Sequence, residues 1–204
     1  MQVLRIYPNS INERHIAQAV DTLRDGGIVI YPTDTLYALA CDVLNRRAIE
    51  RLCRIKGLDP NKNLLSIVCG GLSQASEYVR IDNEAFRTLK RYLPGPYTFI
   101  LPASTRLPKV FKDRKTVGLR IPDNAIATAL AEALGNPLLT ASVAVDKENP
   151  HDAANAEALA LHYAAAVDLV IDGGEGNTEP STVVDLSDPA DPVVVRQGAA
   201  EFVN

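Results

Sequence analysis

The chain has 204 residues, 47% of them hydrophobic and 23% charged, and this balance favours one globular domain over residues 1–204. No apolar run reaches the roughly 20 residues that span a bilayer, which argues against a membrane protein and predicts a cytoplasmic one. The net charge of −4 conceals a basic middle, since residues 44–120 carry 16 of the 21 Lys and Arg residues and only 6 acidic ones. Such a middle either attracts polyanions such as nucleotides or RNA, or simply solvates helix faces.

Strands and helices alternate along the first half of the chain. In order, the pattern predicts strands at 3–7, 27–31, 64–69 and 97–101, and helices after residue 10, around residues 49–56 and at 83–92. The first helix is predicted to begin with a capping box, Ser10-x-x-Glu13, and to end at Gly26-Gly27. Its buried face is predicted to consist of Ile16, Ala17, Val20 and Leu23.

The second half continues the alternation and then departs from it. Strands are predicted at 116–121, 138–143, 167–171, 182–186 and 193–196, with one helix capped by Asp123 and ending at Gly135, and another at 153–165. The alternation indicates α/β layers. Because the last three strands have no helix between them, we expect a mixed sheet and not a purely parallel one.

Polar side chains interrupt the apolar runs at five places, each beside a predicted strand. They are Thr33-Asp34-Thr35, Thr98, Arg120 with Thr116, Ser142, and Ser181-Thr182. Lys56 and Arg196 add two cations. Hydroxyls and cations are the groups that hold carboxylates and phosphates, so this inventory predicts a site for small anions built from strand ends that are distant in sequence.

Each of these features also has a structural explanation. The turn Pro32-Thr33-Asp34-Thr35 is suited either to clamp a polar ligand or to close an ordinary Asx or Ser/Thr turn. Arg120 lies in an apolar strand and must find an anion, either a substrate carboxylate or an internal Asp or Glu. Lys56 and Arg196 suit phosphate but are equally compatible with solvation, and no Gly-rich phosphate loop accompanies them.

Metal and disulfide chemistry find little support in the sequence. The three cysteines, Cys41, Cys53 and Cys69, form no Cys-x-x-Cys pair, and the three histidines are scattered. We therefore expect reduced, buried thiols and no protein-bound metal site.

Seven short segments, in their order and spacing, carry a resemblance to a known family. They are residues 31–37 (YPTDTLY), 55–57 (IKG), 94–98 (PGPYT), 116–122 (TVGLRIP), 171–174 (IDGG), 181–185 (STVVD) and 196–198 (RQG). Over nearly its whole length the chain resembles the YrdC-like family of threonylcarbamoyl-AMP synthases. Asp34 with Ala38, and the segments 50–55 (ERLCRI) and 97–101 (YTFIL), make it most similar to the YciO subgroup.

The resemblance implies an open, twisted mixed α/β sheet flanked by helices, with a large concave basic cavity. It implies an enzyme that joins L-threonine, bicarbonate and ATP, with Mg²⁺ accompanying the nucleotide, to give threonylcarbamoyl-AMP and pyrophosphate for tRNA modification. By position, Thr35, Arg120 and Ser181 would hold threonine, and Lys56, Thr116, Ser142 and Arg196 would face the nucleotide, with Lys56 and Arg120 as the catalytic cations. It gives no oligomeric state and identifies no general base.

The chain departs from the synthase pattern at several positions, of which two would remove ligand contacts; elsewhere Asn63-Leu64 replaces a Pro-Leu pair, and the histidine expected shortly after it is absent. Lys-x-Arg becomes Lys56-Gly57-Leu58, and Ser-Ala-Asn becomes Ser142-Val143-Ala144. Each lost charge-assisted contact is worth about 1.5 to 3 kcal/mol, or more than tenfold in binding, unless Arg54 or Lys62 compensates. The sequence therefore supports two hypotheses: a synthase of reduced activity, or a paralogue that binds nucleotide, tRNA or double-stranded RNA without efficient synthesis.

Overall fold

A computed structural model describes residues 1–59, 62–111, 115–146 and 148–203. Its α-helices are α1 (Glu13–Arg24), α2 (Arg46–Lys56), α3 (Leu72–Tyr78), α4 (Asn83–Tyr92), α5 (Ala125–Leu134) and α6 (Ala156–His162). Its strands are β1 (Gln2–Arg5), β2 (Val29–Tyr31), β3 (Ala38–Asp42), β4 (Ser66–Val68), β5 (Tyr97–Pro102), β6 (Thr116–Arg120), β7 (Leu138–Ser142), β8 (Leu169–Asp172), β9 (Thr182–Asp185) and β10 (Val193–Arg196). Among these helices, none is long and apolar enough to cross a bilayer.

The ten strands form one sheet in the order β1-β8-β2-β3-β7-β4-β6-β5-β9-β10. β8 pairs in parallel with both β1 and β2, and the β4–β6 and β5–β9 pairs are also parallel. The other pairs, from β2–β3 to β9–β10, are antiparallel. The prediction of a mixed α/β sheet is confirmed.

Helices pack on both faces of the sheet. On one face α1 and α5 contact each other and bury Leu23 and Leu130 against residues of β1, β2, β3 and β8. On the other, α2, α4 and α6 contribute to a larger cluster that includes Leu52, Leu89 and Leu159. Burying a Leu or Ile side chain contributes about 1.5 to 3 kcal/mol, so the two clusters hold the layers together.

One half of the α1/α5 face of the sheet is polar instead of apolar. Side chains alternate along a strand, and in β6 Val117 and Leu119 belong to the larger cluster, which directs Gly118 and Arg120 to the opposite face. None of the residues in the α1/α5 cluster lies on β5, β6 or β9. The topology therefore leaves a concave surface over these strands for side chains other than core residues.

Four local predictions are wrong. The cap of α1 is Asn12, whose side chain accepts from the backbone N–H groups of Arg14 and His15, and not Ser10. In the same helix Ala19 is buried and Ala17 is exposed, because Ala19 completes the stripe of residues 16, 20 and 23.

The cap of α5 is Asn124 and not Asp123, whose backbone N–H instead donates to Asp34. The helix predicted at 153–165 is interrupted at Asn155, which caps α6 after a short 3-10 turn at Pro150–Ala154. Asn and Asp side chains accept hydrogen bonds from nearby backbone N–H groups. They therefore favour the start of a helix over its interior.

Candidate active site

A cavity of about 350 Å³ opens on the polar half of the sheet face. Its floor and walls come from β4, β5, β6, β7 and β9, from the end of α2, and from the strand β10 at the sheet edge. Its described lining carries three cationic side chains, Lys56, Arg120 and Arg196, and no carboxylate. The volume lies at the lower end of the range for small-molecule sites, and the charge favours anions.

Arg120 is the most constrained cation of this cavity. Its side chain is only 4% exposed, and its Nη2 donates to Thr35 Oγ1 at 2.8 Å and to Asp34 Oδ1 at 3.1 Å. The other oxygen of Asp34 accepts the Asp123 backbone N–H at 3.0 Å. Within the described part of the chain, Arg120 Nε is the buried side-chain nitrogen that has no hydrogen-bond partner.

This geometry shows that the two explanations of Arg120 are compatible. An internal ion pair with Asp34 exists, and it holds the guanidinium in one orientation. The buried Nε is left without an acceptor, which costs about 1–3 kcal/mol unless a ligand supplies one. The structural explanation of the turn is also correct, because Thr33 Oγ1 accepts the Thr35 backbone N–H and donates to the Leu36 carbonyl, which closes the turn that presents Thr35 to Arg120.

Ser181 contacts both Thr98 of β5 and the side chain of Arg196. Its hydroxyl lies 2.8 Å from Thr98 Oγ1, and Arg196 Nη2 donates to the Ser181 carbonyl at 2.7 Å. Partial burial lowers the pKa of the Arg196 guanidinium, and the positive charge of Arg120 lowers this pKa further. The two guanidinium groups are thus close enough to repel each other, which an anion between them would relieve.

Lys56 lies in apolar surroundings at the other side of the cavity. It is the last residue of α2, and Gly57 ends this helix in a left-handed conformation at φ 63°. Leu52, Leu58 and Leu64 line the cavity beside it. Burial lowers the pKa of the Lys56 ammonium, which has no hydrogen-bond or ion-pair partner among the described residues.

Gly118 keeps the cavity floor open between two hydroxyls. A Cβ at this position would lie 2.5 Å from Ser66 Oγ and 3.0 Å from Thr98 Cγ2. Any larger side chain would therefore displace one of these groups. The glycine is required here by a close approach and not by an unusual backbone angle.

Most residues that the sequence selects meet at this cavity. Lys56, Thr98, Arg120, Ser142, Ser181 and Arg196 all line it. Thr35 is fully buried behind Arg120 and reaches the cavity through that side chain. Thr116 begins β6, four residues from Arg120, and is not among the described residues that line the cavity. The ligand contacts of all these residues stay predictions.

Two polar lining residues, Ser66 and Thr140, were not predicted from the sequence. Thr140 precedes Ser142 by two positions on β7, so the alternation of side chains places both on the same face. Its hydroxyl lies 3.0 Å from that of Tyr31, whose pKa burial raises to about 12. Ser66 is the polar residue of an otherwise apolar strand, and this contrast was the available signal.

The two departures from the synthase pattern lie at the cavity or close to it. Leu58 lines the cavity where the synthases carry Arg, and it also packs against the larger core cluster. Ala144 follows β7 and its backbone N–H donates to Tyr163 Oη at 3.2 Å. Arg54 and Lys62 are exposed, Lys62 lies 3.8 Å from Asp59, and neither lines the cavity.

Comparison with known proteins agrees with this architecture. The sequence model of the Sua5/YciO/YrdC family, described as telomere recombination, matches residues 21–198. The uncharacterized protein YciO of Escherichia coli K12 is 41% identical over 202 residues, which are 98% of this chain and 97% of that protein. The crystal structure of E. coli YciO has a TM-score of 0.90, with 40% identity over 98% of this chain and 97% of that one.

Two more distant relatives carry names that refer to an activity or a ligand. A threonylcarbamoyl-AMP synthase of Halorhodospira halophila is 31% identical over 170 residues, 83% of this chain and 88% of that protein. The crystal structure of Pyrococcus abyssi Sua5 complexed with L-threonine has a TM-score of 0.83 and 29% identity over 96% of this chain and 57% of that one. The match to the family model and the identity to YciO show that the chain belongs to the Sua5/YciO/YrdC family.

Proposed function

We propose that this protein is an L-threonylcarbamoyl-AMP synthase of reduced activity, which forms threonylcarbamoyl-AMP and pyrophosphate from L-threonine, bicarbonate and ATP. The observation that supports it best is Arg120, a buried guanidinium fixed by Asp34 and Thr35 beside a cavity whose described lining carries no carboxylate. A relative with this fold has been solved with L-threonine, and others are named as synthases. Both agree with a carboxylate ligand for Arg120.

On the threonine side, the Arg120 side chain lines the cavity and would pair with the substrate carboxylate, and the Ser181 hydroxyl would be a second contact. A charge-assisted hydrogen bond to a buried guanidinium is about twice as strong as a neutral one. Because Asp34 and Thr35 already fix the guanidinium, little side-chain entropy is lost when the ligand binds. These contacts would hold the amino acid with its amine free to react.

On the nucleotide side, Lys56, Ser142 and Arg196 face the same cavity. Two cations that lie in partly desolvated positions are suited to triphosphate, since each recovers its lost hydration by pairing with an anion. The described lining offers no carboxylate of the kind that usually holds Mg²⁺. The protein side chains therefore do not fit a resident Mg²⁺, and the ion would enter as part of the Mg–ATP substrate.

In the proposed reaction the substrates react with one another and form no covalent bond to the protein. The threonine amine attacks bicarbonate with loss of water, or CO₂ with loss of a proton, to give the carbamate. A carbamate oxygen then attacks the α-phosphorus of ATP, and the bond from this phosphorus to the pyrophosphate oxygen breaks. Lys56 and Arg196 would offset the charge that develops on the phosphates, while Arg120 holds the carboxylate away from them. Rate enhancement would come from bringing like-charged reactants together, so no general base is assigned.

Leu58 and Ala144 are the reasons for proposing reduced activity. The missing guanidinium and amide remove two groups that would contact the nucleotide. At about 1.5 to 3 kcal/mol for a hydrogen bond to a charged group, each loss lowers affinity or rate by more than tenfold. Restoring Leu58→Arg together with Ala144→Asn should therefore raise the rate above that of the natural sequence.

Pyrophosphate release tests the proposal. Purified protein with threonine, bicarbonate, ATP and Mg²⁺ should release pyrophosphate faster than Lys56→Ala under the same conditions. Arg47→Ala is the matched control, because Arg47 is an exposed cation on the same helix that does not line the cavity. If the natural protein releases no more pyrophosphate than Lys56→Ala, and Leu58→Arg/Ala144→Asn does not either, the synthase proposal is wrong.

A second candidate is binding of tRNA or double-stranded RNA without efficient synthesis. The basic stretch of residues 44–120 and the hydrophobic replacement of the motif Arg favour it. Because release of counterions drives such binding, the affinity for duplex RNA should fall steeply with added salt. Failure to bind at low salt would remove this candidate.

A further inference from the structure

The last described residues of the chain fold back onto the active-site strand β9. Residues 197–203, which we call the C-terminal clasp, follow β10 directly and end beside the tyrosines of α4 and β5. The clasp contributes no residue to the cavity lining. Its first half nevertheless contacts the residues on both sides of Ser181, and its second half contacts aromatic residues of α4 and β5.

The first half of the clasp binds the backbone on both sides of Ser181. The Gly198 N–H donates to Thr182 Oγ1 at 3.0 Å, and the Ala199 N–H donates to the Pro180 carbonyl at 2.9 Å. The Thr182 hydroxyl in turn donates to the Ala200 carbonyl. These bonds fix residues 180–182 from the side opposite to β5.

Gly198 makes this approach possible. A Cβ at this position would overlap the Pro180 carbonyl oxygen and would lie 2.6 Å from the Ser181 carbonyl oxygen. That Ser181 oxygen is the acceptor for Arg196 Nη2 at 2.7 Å. The clasp therefore packs directly against the Ser181 carbonyl group, which accepts the hydrogen bond from Arg196.

The second half of the clasp is an anchor. The ring of Phe202 lies 4.8 Å from that of Tyr92 and 6.1 Å from that of Phe99. Tyr97 Oη donates to the Glu201 carbonyl at 2.8 Å, and Tyr92 Oη donates to the Val203 carbonyl at 2.5 Å. Aromatic pairs of this kind stabilise a contact beyond the burial of the rings, and the two hydrogen bonds to tyrosine hydroxyls add to this hold.

We propose that the C-terminal clasp is a positioning element of the active site, which sets Ser181 and Arg196 in the geometry that binds substrate. Displacements of about 1 Å in such supporting residues cost up to about a hundredfold in binding or rate. The functional half of this inference rests on the proposed function, since it assumes that Ser181 and Arg196 contact threonine and nucleotide. Its structural half, the hold on residues 180–182, does not.

Two measurements on three variants test the inference. Phe202→Ala removes the anchor, Phe202→Tyr retains the ring, and Phe86→Ala removes an exposed ring of α4 as the matched control. Hydrogen exchange of the Thr182, Gly198 and Ala199 amides reports the hold without any ligand. Titration with L-threonine and with pyrophosphate, well below the melting temperature of each variant, reports its effect on binding.

We expect Phe202→Ala to exchange these amides at least about tenfold faster and to lose about tenfold or more in affinity for both ligands. Phe202→Tyr and Phe86→Ala should match the natural protein. Unchanged exchange of Thr182 in Phe202→Ala would overturn the inference, and so would faster exchange with unchanged affinity. If the natural protein binds neither ligand, the proposed function fails, and the Thr182 exchange alone then decides whether the clasp holds this segment.

Discussion

Arg120 and Lys56 are two cations that the cavity shields from water in different ways. Arg120 has an internal anion, Asp34, and is fixed by it, whereas Lys56 has no partner among the described residues and depends on the helix end that carries it. A fixed cation is suited to recognising one carboxylate. An unpaired cation at a helix end is suited to a phosphate chain that varies in position during the reaction.

The Asp34–Arg120 pair should dominate the local stability. Asp34→Asn leaves a buried guanidinium without its counter-charge, and we expect it to lower the free energy of unfolding by about 3–5 kcal/mol. Thr35→Val removes one hydrogen bond to the same group and should cost about 1.5–3 kcal/mol. Urea denaturation of both variants measures the difference. Equal and small effects would show that the pair is solvated.

Lys56 should make stability depend on alkaline pH. Burial lowers its pKa below the ordinary 10.5, so the folded protein loses this proton more readily than the unfolded chain. The charged form therefore destabilises the fold below the folded-state pKa, and this cost declines as pH rises through that pKa toward 10.5. Lys56→Met should be at least as stable as the natural protein at pH 7, with a smaller advantage at pH 10. Urea unfolding at both pH values would refute this if the variant were weaker at pH 7.

At the scale of elements, the amphipathic helices were predictable and the short central elements were not. The helix at 83–92 agrees with α4, because its buried Ala85 and Leu89 recur at helical spacing and Asp82 caps it. β3 was missed since Ala38 to Asp42 are buried on both faces and mostly small, so no alternation marks the strand. α3 is seven residues long and has no side-chain cap, which left no start signal.

The candidate site was predictable as a set of residue types, but its construction was not. The sequence identified which hydroxyls and cations to expect, and the family resemblance supplied their order. It could not show that Thr35 acts through Arg120, nor that Leu58 is part of the cavity wall. Both depend on which strands are neighbours in the sheet, and β3 and β7, which separate β2 from β4, pair across almost 100 residues.

The start of α5 gives a direct test of the corrected cap. Asn124 Oδ1 accepts from the N–H groups of Ile126 and Ala127, so Asn124→Ala should lower the free energy of unfolding by about 0.5–2 kcal/mol. Asp123→Ala retains the backbone N–H that donates to Asp34 and should change the free energy of unfolding by about 0.5 kcal/mol or less. Thermal unfolding of the two variants distinguishes them, and the reverse order would restore Asp123 as the cap.

For the whole molecule, the division of the sheet face separates a core half from the half that carries the candidate site. The α1/α5 half is apolar and buried, while the half over β5, β6 and β9 is polar and open. Folding of the first half would thereby be separated from the ligand binding that we propose for the second. Variants of α1 or α5 should change stability without changing affinity, whereas Ser142→Ala in the cavity should change affinity more than stability.

Calorimetric titration with L-threonine, alone and with ATP, tests the central claim most directly. We expect the natural protein to bind threonine. Arg120→Lys should lose at least about tenfold in affinity, because Lys cannot reproduce the fixed guanidinium donors, whereas Arg87→Ala should not. Binding of threonine but not ATP would assign the defect to Leu58 and Ala144. Threonine affinity that is absent, or that survives Arg120→Lys unchanged, would contradict the account.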